Sequence, residues 1–123
     1  MLEEALTQVI IAALIEVHKF LGPGLMESAY RNCLCHELES RGLKVAREVA
    51  LPVVYKGLRL DCGYRLDVVV EGKVILELKA VENLAPIHEA QLISYLRLSG
   101  IRVGMLVNFN VKLITKGIVR RVL

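Results

Sequence analysis

The chain has 123 residues, with 16 Lys+Arg against 13 Asp+Glu and a formal net charge of +3, and this length predicts one domain over residues 1–123. Its 54% apolar and 24% charged residues exclude disorder by composition. The uninterrupted apolar run at residues 9–15 is far shorter than the roughly 20 residues of a membrane span. The start Met-Leu-Glu-Glu also lacks the basic region of a signal peptide, so we expect a cytoplasmic protein.

Two helices are predicted before any strand. Apolar residues within 3–20 recur at the i, i+3, i+4, i+7 spacing of an amphipathic helix, and Leu21-Gly22-Pro23-Gly24 ends it because Gly and Pro continue a helix poorly. A second helix is predicted from about residue 25 to about residue 40, before Gly42. Three cysteines fit a reducing cytosol, and we interpret Cys33 and Cys35 on this helix as structural.

The hydrophobic period changes at Val45. Alternating apolar residues in 49–55 predict a strand, Lys56-Gly57 a turn, and residues 60–70 and 74–81 two further strands joined at Glu71-Gly72. A third helix is predicted from the Pro86 region to residue 98, then a strand at 102–108 and a short last one at 117–123. The order α-α-β-β-β-α-β predicts an α/β fold with a mixed sheet flanked by helices.

The most informative segment is the predicted hairpin of residues 64–80. Strand alternation puts Glu77 and Lys79 on one face of its second strand and apolar residues on the other. A strand between an apolar partner and a helix is a costly place for charge, so such groups pair, shift their pKa or bind an ion.

The length of the hairpin loop decides whether Asp67 joins this face. A two-residue loop at Glu71-Gly72 would leave Asp67 and Glu77 on opposite faces. A three-residue loop, 70–72 or 71–73, places Asp67 diagonal to Glu77 or directly across from it, within reach of one ion. Three-residue loops with Gly in the left-handed position are common, so we predict this geometry; a bulge near Asp67 would serve equally.

Two facing carboxylates raise each other's pKa, a conflict that a divalent cation removes. Mg²⁺ favours one or two carboxylates with waters and phosphate oxygens. A neighbouring lysine, Lys79, can hold or deprotonate the attacking water or neutralise transition-state charge. A salt bridge from Lys79 to Glu77 or Asp67 explains the same residues, and this segment alone leaves both interpretations open.

Two predicted helices carry further candidates. The third has a polar stripe opposite an apolar one: His88, Gln91 and Tyr95 against Ile87, Ala90 and Leu98. Gln91 and Tyr95 can together bind a water, a phosphate or a base edge, although a solvated helix face explains them too. Near the start of the second helix lie Glu27 and Tyr30, where an acid also favours the helix dipole.

A sequence motif lies at the start of the predicted second helix. There, Gly24-Leu-Met-Glu27-Ser-Ala-Tyr30 matches the pattern G-x-x-E-x-x-Y. The chain resembles the bacterial and archaeal family of that name, which is placed within the PD-(D/E)XK nuclease superfamily. The resemblance covers nearly the whole chain, through residues 15–24, 77–81, 88–96 and 106–110. It implies a PD-(D/E)XK nuclease-like core.

The resemblance also implies roles for named residues. Asp67, Glu77 and Lys79 fill the D…(D/E)-x-K positions, with Leu66 where the superfamily's name has a proline. Glu27 is the helix-borne acid that joins Asp67 and Glu77 around the metal. Gln91 and Tyr95 are similar to the Q-x-x-x-Y pair that lies beside the active site. His18 recurs in the family pattern without an assignable role.

Two functions compete for this chain. The first is a nuclease that uses Mg²⁺ or Mn²⁺ to hydrolyse phosphodiester bonds of DNA or RNA, with catalytic residues Asp67, Glu77, Lys79 and Glu27. The second is a non-catalytic nucleic-acid-binding or protein-interaction module that retains the fold. The complete acidic and lysine set favours the nuclease. A phosphate-utilising enzyme of another kind would require a Gly-rich phosphate-binding loop, which this sequence does not contain.

The charge distribution points to a polyanionic partner. We expect nucleic acid, with DNA favoured over RNA, and no membrane. No acid follows Glu89, whereas residues 90–123 carry six bases. The predicted substrate contacts are Gln91, Tyr95, His88, Tyr30, Arg97 and Arg102, with Arg120 and Arg121 as further phosphate contacts. The mean hydropathy of +0.49 predicts an oligomeric interface, a homodimer through the first helix.

Overall fold

A mixed β-sheet with helices on both faces organises residues 1–123, all of which the computed structural model describes. The helices are α1 (Glu4–Leu21), α2 (Glu27–Ser40) and α3 (Pro86–Ser99), with a short 3₁₀ helix at Ile114–Gly117. The strands are β1 (Val45–Ala50), β2 (Val53–Tyr55), β3 (Leu58–Leu60), β4 (Arg65–Val70), β5 (Val74–Lys79), β6 (Val103–Asn108) and β7 (Ile118–Val122).

The main sheet has the strand order β1-β4-β5-β6-β7. Only β5 and β6 run parallel, and α3 supplies the crossover that a parallel pair requires. The other neighbours are antiparallel, and β2 and β3 form a separate two-stranded hairpin. The predicted α/β class, with a mixed sheet flanked by helices, is confirmed.

Each face of the sheet has its own apolar layer. On one face, Ile10 and Leu14 of α1 pack in a cluster that includes Leu76 of β5. On the other, Leu92 of α3 packs in a cluster that includes Ile75. Neighbouring residues of β5 therefore enter opposite layers, as its alternation predicts, and each fully buried aliphatic side chain stabilises the fold by roughly 1.5–3 kcal/mol.

The first two helices lie close to their predicted positions. The helix predicted at residues 3–20 is α1, but the second begins at Glu27 rather than near residue 25. Leu25 stays outside α2 because its amide donates to the Tyr30 hydroxyl at 3.1 Å. Gly24, with φ 99°, has a backbone conformation that L side chains rarely adopt.

Two predicted strands are interrupted. The strand predicted over residues 60–70 is two strands, because Gly63 between them has φ 82°, which a regular strand does not allow. The alternation that continues to residue 55 is broken at Pro52, which has no amide hydrogen for a ladder. The predicted turn at Lys56-Gly57 is confirmed, with φ 47° and 85°.

The apolar stripe predicted for α3 is wrong. Ile87 is 67% exposed and Leu98 is 39% exposed, whereas Leu92, Tyr95 and Leu96 are buried. The buried residues have the i, i+3, i+4 spacing of one helix face. Both faces of α3 carry apolar side chains, so the position of the helix over the sheet, rather than its own pattern, selects the buried one.

Apolar side chains also remain on the surface near the helix ends. Phe20 and Met26 are 85% and 76% exposed. A homodimer through α1, which would cover side chains of this kind, stays a prediction. None of the three helices combines the length and the apolar character that a membrane crossing demands.

The three cysteines are free thiols in different environments. Cys35 of α2 is buried, and burial raises the pKa of its thiol, whereas Cys33 and Cys62 are exposed. The structural interpretation is therefore confirmed for Cys35 and wrong for Cys33, which lies on the outer side of the same helix.

Gly104 of β6 permits the close packing of α3 on the sheet. A Cβ atom at this position would lie 2.7 Å from Leu92 Cδ1 and 3.2 Å from Leu96 Cδ2. Because overpacking costs about 1–3 kcal/mol, Gly104→Ala is expected to lower the free energy of unfolding by that amount, measured by urea denaturation. Ser94→Ala, on the exposed side of α3, is the control and should stay within about 0.5 kcal/mol of the wild type. An unchanged midpoint for Gly104→Ala would contradict tight packing here.

Candidate active site

The hairpin between β4 and β5 has the three-residue loop that the sequence predicts. Val70 pairs with Val74, which leaves residues 71–73 as the loop. Continued along the strands, this register places Asp67 directly across from Glu77. The predicted neighbourhood of these two residues is confirmed, and the two-residue loop is excluded.

The turn of this hairpin is anchored to the chain before β1. Glu71 and Gly72 both have positive φ, 55° and 65°, although only the glycine was expected to be left-handed. The Glu71 amide donates to the Lys44 carbonyl at 2.8 Å, and the Lys44 amide donates to the Glu71 carboxylate at 2.8 Å. This anchor matters for the site because a slip of one residue would turn every side chain of the strand to the other face.

Asp67 occupies a gap in the sheet. It is the one residue of β4 without a backbone ladder partner on either neighbouring strand. Its amide instead donates to Glu77 Oε2 at 2.9 Å, and the Leu78 amide donates to Asp67 Oδ2 at 3.1 Å. Carboxylate oxygens thus take the place of backbone carbonyls where β4 and β5 part, which holds the two acids side by side.

The carboxyl group of Glu77 is buried, with the residue only 8% exposed. Burial, and then the charge of Asp67, raise the pKa of Glu77 from 4.5 to about 7. The amide of Asp67 and the charges of Lys79 and Arg31 act in the lowering direction without cancelling this rise. The groups around Glu77 therefore do not fully offset the cost of burying its negative charge.

The cation in contact with Asp67 is Arg31 of α2. Arg31 Nε donates to Asp67 Oδ1 at 2.5 Å, with the two side chains 20% and 13% exposed. This charge-assisted hydrogen bond ties α2 to β4. The sequence alone does not single out Arg31; its one signal is its place four residues after Glu27, on the same side of the helix.

Arg31 lies among three acidic residues. Burial lowers the pKa of Arg31, but the hydrogen bond and charge of Asp67 raise it by more, so its pKa is raised overall. Glu48 and Glu27 act in the same raising direction. Glu27 is half-buried at the first position of α2 and makes no hydrogen bond or ion pair of its own. The helix-borne acid is thus close to Arg31 and, through it, to Asp67.

Lys79 stands at the end of β5, half-buried, without a salt bridge. The alternative interpretation, in which Lys79 pairs with Glu77 or Asp67, is therefore wrong. Its charge still lowers the pKa of Glu77, so the two groups are near each other. The ammonium group is left available for another partner.

Asn108 fixes the backbone that carries Lys79. It pairs with Lys79 across the parallel strands, and the following Phe109 amide donates to the Lys79 carbonyl at 2.9 Å. Asn108 is 2% exposed, and its side chain donates to the Val81 carbonyl at 2.9 Å and accepts from the Val81 amide at 3.1 Å. Both ends of the segment that follows Lys79 are thereby held.

Tyr95 is the residue of α3 whose pKa is affected by the charge of Glu77. It is 8% exposed, and burial, then the charges of Glu77 and Tyr64, raise its pKa. Its ring lies 6.2 Å from that of Tyr64. Gln91, one turn earlier, is exposed, and the three residues line a groove of about 360 Å³. The structure therefore places the predicted Gln91 and Tyr95 pair in one groove, with Tyr95 near enough to Glu77 to feel its charge.

The prediction that Tyr30 contacts substrate is wrong. Tyr30 is fully buried, and its hydroxyl donates to the Gly22 carbonyl at 2.6 Å and accepts from the Leu25 amide. Its ring stacks on Phe109 with the centroids 4.3 Å apart. Phe109 also accepts a hydrogen bond from His18 at 3.2 Å through its carbonyl. Tyr30 and His18 thus join the first two helices to the end of β6.

Two other candidates on α3 have different surroundings. His88 Nδ1 accepts from the Ala85 amide at 3.0 Å and so caps the start of the helix. Its Nε2 remains as a donor, and a substrate contact through that atom stays a prediction. Arg97 is exposed and lies about 200° around the helix from Tyr95, away from the groove.

Arg102 lies outside the site. It precedes β6, at the end of the sheet opposite Lys79, and is about 13 Å along the strand from the level of Glu77. Its Nε donates to the Leu123 carbonyl at 3.0 Å. The prediction that Arg102 binds substrate beside the carboxylates is therefore wrong, because parallel pairing places the start of β6 at the far edge.

The remaining predicted phosphate contacts are on β7, with β6 between them and β5. Arg121 pairs with Glu89 of α3 at 2.8 Å, and Arg120 donates to the Leu2 carbonyl. With Arg102, intramolecular partners therefore use three of the six late bases that the charge distribution singled out. The arginine that contacts Asp67 is instead Arg31, from the first half of the chain.

The carboxylate pair fits a divalent metal ion by its chemistry. No three His, Cys, Asp or Glu side chains converge closely enough to hold an ion by themselves. Mg²⁺ in phosphate-handling sites, however, takes one or two carboxylates and completes its shell with water and phosphate oxygens. Glu77 Oε1 accepts no hydrogen bond, and no cationic side chain forms a salt bridge with the Glu77 carboxylate. Asp67 and Glu77 would hold such an ion.

The buried hydroxyl of Tyr30 gives a test of its structural role. Tyr30→Phe keeps the ring stack but leaves the Gly22 carbonyl and the Leu25 amide without this partner. We expect a loss of about 1–3 kcal/mol in the free energy of unfolding, measured by urea denaturation. Tyr55→Phe is the matched control, since that side chain is exposed and its hydroxyl makes no hydrogen bond. Full stability of Tyr30→Phe would contradict the role.

The raised pKa of Glu77 makes the stability of the metal-free protein depend on pH. Between 4.5 and about 7 the folded protein holds a proton that the unfolded chain releases. This contribution is fully present below the unfolded pKa and is lost as the pH rises through the folded one. We expect the free energy of unfolding in EDTA to fall by up to about 3 kcal/mol between about pH 5 and about pH 8.

Urea denaturation across this pH range measures the effect. Glu77→Gln should flatten the profile, because the amide does not titrate, whereas Glu82→Gln, at an exposed position, should leave it unchanged. A profile that keeps its slope in Glu77→Gln would show that another group causes it.

One comparison with known proteins gives a match to this chain. A family model of the PD-(D/E)XK nuclease superfamily matches residues 4–122. No curated protein and no solved structure matches the chain. Membership of the narrower G-x-x-E-x-x-Y family stays a prediction. The match spans almost the whole chain and its fold is consistent with that superfamily, so the protein belongs to the PD-(D/E)XK nuclease superfamily.

Proposed function

We propose that the protein is a nuclease that uses Mg²⁺ or Mn²⁺ to hydrolyse phosphodiester bonds. The observation that carries the proposal is the burial of the Glu77 carboxyl next to Asp67, in a gap of the sheet, with the unpaired Lys79 near it. PD-(D/E)XK nucleases usually use divalent metals, and two adjoining acids of this kind suit such an ion.

Four residues have a part in the proposed reaction. Asp67 and Glu77 hold the divalent ion, with Glu27 of α2 as a further acid on the helix side. When bound, the ion lowers the pKa of a coordinated water and neutralises charge on the phosphate. Lys79 donates hydrogen bonds to the attacking water or the phosphate and stabilises the negative charge that develops as the phosphorus–oxygen bond breaks.

The groove beside the site supports a nucleic-acid substrate. Gln91 and Tyr95 line it, together with Tyr64 and apolar side chains. The free amide of Gln91 can donate to a phosphate or pair with a base edge, and the tyrosine rings offer apolar surface to a base or sugar. We propose DNA as the first substrate to test, with RNA as the comparison.

One observation favours the second candidate function, a non-catalytic module of the same fold. Arg31 neutralises Asp67 without any metal, as a carboxylate without a catalytic task would require. The buried Glu77, which Arg31 does not contact, is left unexplained by that function. Cleavage assays decide between the two.

The test incubates the protein with plasmid DNA, linear single-stranded DNA and RNA in Mg²⁺, Mn²⁺ or EDTA. We expect cleavage with a divalent ion and none in EDTA. Glu77→Gln and Lys79→Ala should each lower the rate by about 100-fold or more, the usual effect of removing a group that stabilises transition-state charge.

Lys73→Ala is the matched control for Lys79→Ala, because Lys73 is exposed in the hairpin loop at the other end of the same strand. It should cleave at the wild-type rate. Cleavage in EDTA, or an unchanged rate in Glu77→Gln, would contradict the mechanism. A folded wild-type protein that cleaves none of the substrates would favour the non-catalytic module.

A further inference from the structure

We infer that Arg31 is a built-in counter-ion that competes with the divalent metal for Asp67 and leaves that carboxylate when the metal binds. This inference rests on the proposed function, since it concerns the same metal site. It makes Arg31 a positioning residue, which holds Asp67 in place in the metal-free protein and sets how strongly the site binds a cation.

The contacts of Asp67 show why the two cations compete. Both of its carboxylate oxygens already have a donor: Arg31 Nε reaches Oδ1 at 2.5 Å, and the Leu78 amide reaches Oδ2 at 3.1 Å. The Leu78 donor belongs to the sheet backbone and is neutral. Arg31 is the only charged partner, and a divalent ion at Oδ1 would lie beside a like charge in a partly buried place, where repulsion is poorly screened.

Other acids near Arg31 lower the cost of its release. Glu48 lies across from Asp67 on β1, in a left-handed conformation with φ 47°, and the ladder between the two strands skips this pair. Glu27 lies one turn before Arg31 on α2. Both acids already stabilise the charge of Arg31. A guanidinium that leaves Asp67 therefore keeps carboxylates within its surroundings.

The competing explanation is that Arg31 serves only to tie α2 to the sheet. Removing the side chain would then loosen Asp67 and weaken metal binding. Competition predicts the reverse, because the metal no longer has to displace a bound cation. The sign of the change in metal affinity thus separates the two explanations.

The experiment measures Mn²⁺ and Mg²⁺ binding by calorimetry, without nucleic acid, at about pH 8, where a carboxyl with a pKa of about 7 is mostly ionised. Arg31→Gln should bind the ions about fivefold more tightly or better, the usual size of a coupling between two sites. By the same linkage, Arg31→Gln should be less stable than the wild type in EDTA and should gain more stability from saturating metal.

Arg47→Gln is the matched control. It removes the same charge next to Glu48, but Arg47 binds Asn32 and Glu39 rather than Asp67. Its effect on metal affinity should be smaller than that of Arg31→Gln. Equal effects of the two variants would show that loss of any nearby positive charge changes metal affinity, which would contradict competition. Weaker metal binding by Arg31→Gln would contradict it too.

A measurement on the wild type covers the case in which Arg31→Gln does not fold. The Nε–H resonance of Arg31 reports its hydrogen bond to Asp67 and should shift when diamagnetic Mg²⁺ saturates the site. A resonance that stays in place at saturation would contradict the inference. Metal binding without any cleavage would contradict the proposed nuclease alone, whereas a lack of metal binding by both the wild type and Arg31→Gln would contradict both.

Discussion

The burial of two adjoining carboxyl groups between β4 and β5 is the constraint on which the rest of this structure depends. Asp67 and Glu77 act as hydrogen-bond acceptors in place of ladder carbonyls, at the point where the pairing of β4 with β5 ends. Unpaired charge in such a place is costly. The Arg31 guanidinium is hydrogen-bonded to Asp67, the Lys79 ammonium group is near Glu77, and burial raises the pKa of Glu77 to about 7.

The helices and the end of the sheet hold this gap in place. The Tyr30 ring stacks on Phe109, and the Phe109 amide donates to the carbonyl of Lys79, which links α2 to the end of β5 through two successive contacts. Asn108 closes the same end from within β6. Tyr30, Phe109 and Asn108 thus act through packing and backbone positioning rather than through charge.

In the proposed metal site, Arg31 links stability to metal affinity. Its bond to Asp67 stabilises the metal-free fold, and the same bond occupies an oxygen that a cation needs. The proton on Glu77 has the same double effect, because it lowers the cost of burial and must leave before the carboxylate binds a cation.

Local chemistry in the sequence determined the helices α1 and α3, a three-residue hairpin loop and the neighbourhood of Asp67 and Glu77, because hydrophobic periods and turn residues act over a few positions. Tertiary structure alone decided the partner of Asp67, the buried side of α3 and the distance of Arg102 from the site. Arg31 and Asp67 are 36 residues apart, and only the packing of α2 against the sheet brings them together. Sequence patterns specify what each element needs to bury or pair, whereas the partner that satisfies it depends on which elements meet.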